Sequence, residues 1–173
     1  METTEQTETK ESNIEVIFGK PEHSEILGEF SAKIAYEAEG NIVDPKPLAE
    51  AIHNLLSFDP AKEGQKPLGF YLVAQTSEAK VIGCMMVTYQ INPVIGGLIY
   101  SIDNVFVEKE YRKLGVFKQI FNKVKDIAEA DKNCKCMRLF VEQENEIAKK
   151  AYTRMGMSIL DVSAMQKSFI SYH

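Results

Sequence analysis

An α/β (α+β) fold, a mixed and mostly antiparallel sheet flanked by about four helices, is predicted by three features of this 173-residue chain. Gly69 to Gln75, Val81 to Gln90 and Gly97 to Val107 are rich in Val, Ile, Tyr, Met and Phe and are separated by turn-forming residues, as in an antiparallel meander. Val116, Phe117, Ile120, Phe121, Val124, Ile127 and Ala128 then recur at helical spacing from Gly115 to about Ala130, a wide apolar face suited to lying on a sheet. A strand follows at Met137 to Val141. Because it comes after a helix that itself follows a strand, it is expected to run parallel to its predecessor in a right-handed crossover.

Ile14, Val16 and Phe18 alternate in a first strand, which Gly19-Lys20-Pro21 ends. Ile26, Phe30 and Ile34 form the stripe of a helix from about Glu22 to Ala38, stopped by Gly40-Asn41. Asp44-Pro45 has the form of an N-cap followed by proline at the first helical position, with Leu48, Ala51, Ile52, Leu55 and Leu56 behind it. Asp59 to Lys66 reads as a loop, and Gln90 to Gly97 as a long, rather apolar hairpin connection. A short helix begins at Asn145. Met157 to Asp161 and Ser163 to Ile170 are expected to close the sheet as a final hairpin.

One domain from residue 13 to 173 is expected, preceded by a disordered acidic tail at 1–12. That tail carries four Glu and one Lys, so it supplies −3 of the formal net charge of −5 and leaves the body near neutral. A near-neutral body without a dense Lys/Arg face argues against nucleic acid as a partner. No segment reaches membrane-spanning length and the amino terminus lacks a signal-peptide pattern, so a soluble, cytoplasmic protein is expected. Cys84, Cys134 and Cys136 are odd in number, and His23, His53 and His173 stand apart from them, which implies reduced thiols and no metal.

Two segments carry chemistry. Tyr111-Arg112-Lys113-Leu114-Gly115-Val116-Phe117 opens a helix directly after an apolar strand, where unpaired backbone N–H groups can hold a polyanion. Downstream, Asn145-x-x-Ala148-x-x-x-Tyr152-x-x-x-Gly156-Met157 places an amide, a small residue and a phenol on one helical stripe, because a step of seven residues nearly restores the starting direction. An anion cradle and a proton donor beside a narrow slot together suggest a coenzyme-dependent transferase.

From Ile14 to Ile170, the order of elements and these two segments resemble the GCN5-related N-acetyltransferase (GNAT) family. The family motif R/Q-x-x-G-x-G/A is matched by Arg112 to Phe117, with Phe117 in place of the small residue. The motif N-x-x-A-x-x-x-Y-x-x-x-G-F is matched by Asn145 to Met157. The resemblance implies a sheet splayed between its fourth and fifth strands, with acetyl-CoA lying in the resulting V and no metal. It further implies that Val105, Phe106 and Val107 present main-chain groups to the pantetheine arm, and that Arg112, Lys113, Leu114, Gly115, Val116 and Phe117 receive the pyrophosphate. The Phe117 ring either turns toward Ile120 and Phe121 or pushes the phosphates outward. Asn145 caps its helix and meets the coenzyme, Ala148 leaves room for it, and Tyr152 protonates the departing thiolate.

For the base that relieves the attacking amine of its proton, Glu142 and Asp103 are candidates, as are Glu37 and Glu39; water chains can serve instead. Cys84 has no histidine placed to activate it, so direct transfer is expected rather than an acyl-cysteine. The expected activity is acetyl transfer from acetyl-CoA to a primary amine entering between the first two helices and the hairpin loop. The alternative is a catalytically silent CoA-binding or interaction module. Dimerisation through late strands fits the resemblance, although no residue demands it.

Overall fold

The computed structural model describes residues 14–59, 67–167 and 169. The tail expected at 1–12 and nearly all of the loop expected at 59–66 lie outside the described residues. The chain falls into two compact units, one ending at Phe140 and the other beginning at Val141.

In the first unit, β1 (Glu15–Phe18) leads through a 3₁₀ turn at Pro21–His23 into α1 (Ser24–Glu39) and α2 (Pro45–Leu56). Next come β2 (Gly69–Gln75), β3 (Val81–Asn92) and β4 (Gly97–Val107), then a second 3₁₀ turn (Lys109–Tyr111), α3 (Val116–Ala130) and β5 (Cys134–Leu139). The strands lie in sequence order, antiparallel from β1 to β4, and β5 runs parallel to β4. The strand order and directions expected for these five strands are therefore the observed ones. Strand β5 begins three residues earlier than expected, since Cys134 already pairs with Leu98, and it ends before Phe140, which is largely exposed.

Alternation along each strand sorts side chains onto two faces. Tyr71, Val73, Cys84 and Phe106 pack with Leu27 and Phe30 of α1 and Ile52 of α2 in one buried cluster. Leu72 and Ala74 point the other way, onto the face where buried Val116, Ile120, Phe121, Val124 and Ala128 of α3 lie against the strands. Helix α2 starts as its sequence signals: Asp44 Oδ1 accepts the Lys46 N–H at 3.0 Å, and proline follows the cap. Helices α1 and α2 cross closely at Gly28, where an added Cβ would come within 2.8 Å of both the Ala49 Cβ and the Pro45 carbonyl oxygen.

The β3–β4 connection is shorter than expected. Strand β3 continues to Asn92, and only residues 93–96 turn. Asn92 Oδ1 accepts the N–H groups of Val94 (3.0 Å) and Ile95 (3.4 Å), while Gly96 takes the left-handed φ of 65° that completes the reversal.

The second unit contains α4 (Glu146–Arg154). The expected closing hairpin does not form among the described residues, for 157–167 contain no strand. Ile159, Val162 and Met165 are exposed by 77%, 73% and 95%, so the apolar residues there form no buried face that could set a strand register. Asp161-Val162-Ser163 also lacks the Gly or Asn that a two-residue turn requires.

Candidate active site

Strand β4 creates an opening by losing a partner. Its parallel pairing with β5 runs from Leu98 to Ile102 and stops there, while its antiparallel pairing with β3 continues to Val107. From Asp103 to Val107 the β5-facing edge thus has no strand partner among the described residues. A bulge marks the change: the β3 register shifts between Cys84 and Met86, and Asn104 opposite takes φ 45°. That left-handed geometry suits Asn better than any other residue except Gly.

Asn104 is held from several sides. Its Nδ2 donates to Tyr71 Oη at 2.8 Å and to Ser31 Oγ at 3.3 Å, Ser31 donates to the Leu27 carbonyl at 2.9 Å, and the Cys84 thiol donates to the Asn104 carbonyl at 3.4 Å. Burial pushes both the Tyr71 phenol and the Cys84 thiol up to about 12. A thiol so placed stays protonated near neutrality and is inert as a nucleophile.

Beyond β4, Lys113 (φ 67°) and Gly115 (φ 80°) reverse the chain into α3. No side chain caps this helix and its first turn has no acidic residue; the first intrahelical bond runs from Gln119 N–H to the Gly115 carbonyl at 3.0 Å. No acidic side chain in that turn offsets the positive end of the helix dipole, which favours an anion there. A Cβ added at Gly115 would meet no other atom within 4 Å, so space for a ligand lies directly over the loop. Of the two outcomes expected for Phe117, the ring has turned along the helix, its centroid 5.8 Å from that of Phe121.

Arg112 is engaged elsewhere. Its Nε donates to the Val107 carbonyl at 2.8 Å, and one terminal nitrogen donates to both Glu37 carboxylate oxygens at 3.0 and 2.9 Å. A second ion pair, Lys33 to Glu108 at 2.7 Å, lies one turn earlier on α1. Both link α1 to the end of β4, and both remain partly exposed, so each contributes at most about 1 kcal/mol to stability. Beside them lies a cavity of about 440 Å³, with Tyr36, Ile42, Val43 and Phe106 supplying apolar wall and Lys33, Glu37, Glu108 and Lys109 charge.

The structure thus brings Val105, Phe106 and Val107 together with Arg112 to Phe117 at one end of β4. Among the base candidates, Asp103 accepts from Ser101 Oγ at 3.3 Å, Glu37 is clasped by Arg112, and Glu39 accepts from Asn41 at 2.6 Å. Glu142 is exposed, its carbonyl accepting the Asn145 N–H. The β3–β4 turn stands at the start of β4, roughly 30 Å of extended strand from Phe106, so it does not border the α1 cavity as expected. Sequence reasoning gave Glu37 no structural partner and missed Lys33; their partners lie 75 residues away, and only the i, i+4 spacing of two opposite charges on α1 hinted at them.

In the second unit, Asn145 caps α4, its Oδ1 accepting the Ala148 N–H at 3.0 Å. Tyr152 follows two turns on, half-buried, and burial pushes its phenol up to about 12. The helix closes on Gly156 (φ 89°): Met157 N–H donates to the Tyr152 carbonyl at 3.1 Å and Gly156 N–H to the Thr153 carbonyl at 3.0 Å, a Schellman motif. No group of His, Cys, Asp and Glu among the described residues is arranged to hold a metal ion. None of the described helices is long and apolar enough to cross a membrane.

A family model described as the acetyltransferase (GNAT) family matches residues 25–157. Among solved structures, a possible acetyltransferase from Clostridium difficile 630 is 30% identical, with a TM-score of 0.79 over 92% of this chain and 100% of that one. A ribosomal-protein-alanine N-acetyltransferase from Brucella melitensis biovar Abortus 2308 is 17% identical, with a TM-score of 0.67 over 90% and 99% of the two chains. Glucosamine-6-phosphate N-acetyltransferase from Arabidopsis thaliana is 15% identical, with a TM-score of 0.64 over 92% and 100%. The last two likenesses extend to the fold alone.

Proposed function

The chain belongs to the GNAT acetyltransferase family, and on that premise we propose that it moves an acetyl group from acetyl-CoA to a primary amine by direct transfer. The observation that carries the reading is the edge of β4 from Asp103 to Val107, which has no strand partner among the described residues and ends near a helix N-terminus without a side-chain cap. A linear coenzyme with amides along its arm and a pyrophosphate at its far end needs those two features in succession. Val105, Phe106 and Val107 offer main-chain groups to the arm, and the loop from Lys113 through Gly115 to Phe117 offers N–H groups to the phosphates.

When bound, the coenzyme supplies a thioester carbonyl open to attack. Asn145 has Nδ2 donors to spare, because the helix cap uses only its Oδ1. Tyr152 Oη holds its proton throughout the neutral range, as its raised pKa requires, and delivers that proton to the departing sulfur. The acceptor amine enters through the cavity between α1 and the end of β4, and its proton leaves to water or to one of the nearby carboxylates. The carboxylates that line this cavity are Glu37, Glu108 and Glu110.

The test is calorimetry with CoA, followed by a screen of amines for thiol release from acetyl-CoA and mass measurement of the product. A CoA-dependent mass gain of one acetyl group on an amine is expected. Failure of the protein to bind CoA overturns the reading. CoA binding without thiol release from a broad panel replaces it with a catalytically silent CoA-binding module.

A further inference from the structure

We propose that Arg112 is a positioning residue of the acceptor cavity, holding Glu37 and with it helix α1 against the end of β4, and that it is not a ligand of the coenzyme phosphates. This rests on the reading that the α1–β4 cavity admits the acceptor.

Three anchors fix the guanidinium. Nε meets the Val107 carbonyl at 2.8 Å, one terminal nitrogen spans both Glu37 oxygens at 2.9 and 3.0 Å, and the group lies over the Phe106 ring, 5.6 Å from its centroid. Swinging toward a phosphate over Gly115 would break all three and leave Glu37 with only the Lys109 ammonium, 3.9 Å away. Glu37 lines the cavity, and Arg112 thereby sets where one of its walls stands.

The second clasp supports the same inference. Lys33 and Glu37 are one helical turn apart, and each reaches a partner of opposite charge 75 residues on, Glu108 and Arg112. Glu108 also lines the cavity, and Phe106 carries a cation on its ring from each clasp, Lys33 at 5.6 Å and Arg112 at 5.6 Å. Members of both latches, Lys33, Glu37 and Glu108, therefore line the cavity. Loosening either one lets α1 shift and changes the fit of whatever occupies the space, while the helix N–H groups that meet the phosphates belong to α3.

The test compares Arg112→Ala, Arg112→Lys, Glu37→Gln and the double variant Arg112→Ala/Glu37→Gln with the unaltered protein. CoA affinity is read by calorimetry, the acceptor KM and kcat with the best amine from the screen, and folding by the thermal midpoint. The expected result is a CoA Kd within about threefold of the original in every variant. The acceptor KM rises about tenfold or more in Arg112→Ala and Glu37→Gln, with no further rise in the double variant and partial rescue in Arg112→Lys. A merely structural role would lower the thermal midpoint without this split. An Arg112→Ala protein that binds CoA tenfold more weakly while Glu37→Gln binds it normally overturns the proposal and returns Arg112 to the phosphates. If the unaltered protein binds no CoA, or binds it and acetylates no amine, the underlying functional reading falls and the proposal with it.

Discussion

At the scale of single residues, Tyr152 combines two properties a general acid needs. It is half-buried near the end of a well-capped helix, and burial pushes its phenol up to about 12, so it is fully protonated at neutral pH. Tyr152→Phe keeps the ring and removes the hydroxyl with its proton, so on the proposed acid role kcat is expected to fall by roughly a hundredfold or more, in the range of general-acid contributions, while CoA affinity stays within a few-fold. Thiol-release kinetics and calorimetry on the same preparation check both. On the proposed acid role, the alkaline limb of kcat is expected near pH 12 rather than pH 10. Gly115 is the complementary case: its φ of 80° and the open space above it mean that Gly115→Val strains the backbone by about 1–2 kcal/mol and places methyl groups where phosphate would lie. CoA binding is expected to weaken at least tenfold, beyond anything the modest loss in urea stability explains.

The elements show what a sequence can and cannot reveal about its own fold. Each strand from β1 to β4 and each helix was visible as a period, because a buried face imprints its spacing on the residues that fill it. The start of β5 was not, since Cys134 and Cys136 carry little hydrophobic contrast and their pairing with Leu98 and Ile99 is set by β4. The closing hairpin misled for the opposite reason: apolar residues stand at Met157, Ile159 and Leu160, but Ile159 and Leu160 are largely exposed and no strand forms there among the described residues. The glycine turn that opens α3 and the Asn145 cap are legible because both depend on local backbone geometry. The clasps on α1 were hidden because long-range ion pairs leave no periodic mark. The β4 bulge lies between these cases. Asn104→Val puts a β-branched side chain at φ 45° and strands the Tyr71 hydroxyl, so a loss of about 3–4 kcal/mol is expected in urea unfolding. Asn104→Gly, which keeps the backbone and loses only the hydrogen bonds, is expected to cost about half as much.

For the molecule as a whole, the buried neutral phenol and thiol beneath α1 make stability depend on alkaline pH with a definite sign. Tyr71 is 1% exposed and its phenol is pushed from 10 up to about 12 by burial, against which its hydrogen bond from Asn104 acts only partly. Cys84 behaves alike, moving from 9 up to about 12. Both are acids whose pKa in the folded protein lies above that in the unfolded chain, so the unfolded chain gives up its protons first as pH rises. Their contribution is complete below about pH 9, begins to fall as unfolded Cys84 ionises, falls further as unfolded Tyr71 ionises near pH 10, and is spent by about pH 12. A shift of two units in Tyr71 corresponds to about 3 kcal/mol at most. Urea unfolding followed from pH 8 to pH 11.5 is therefore expected to show a declining free energy, and Tyr71→Phe is expected to flatten that decline above pH 10 while leaving the earlier part, which belongs to Cys84, in place. A decline of equal steepness in the variant would mean that the buried phenol is not what the rising pH attacks.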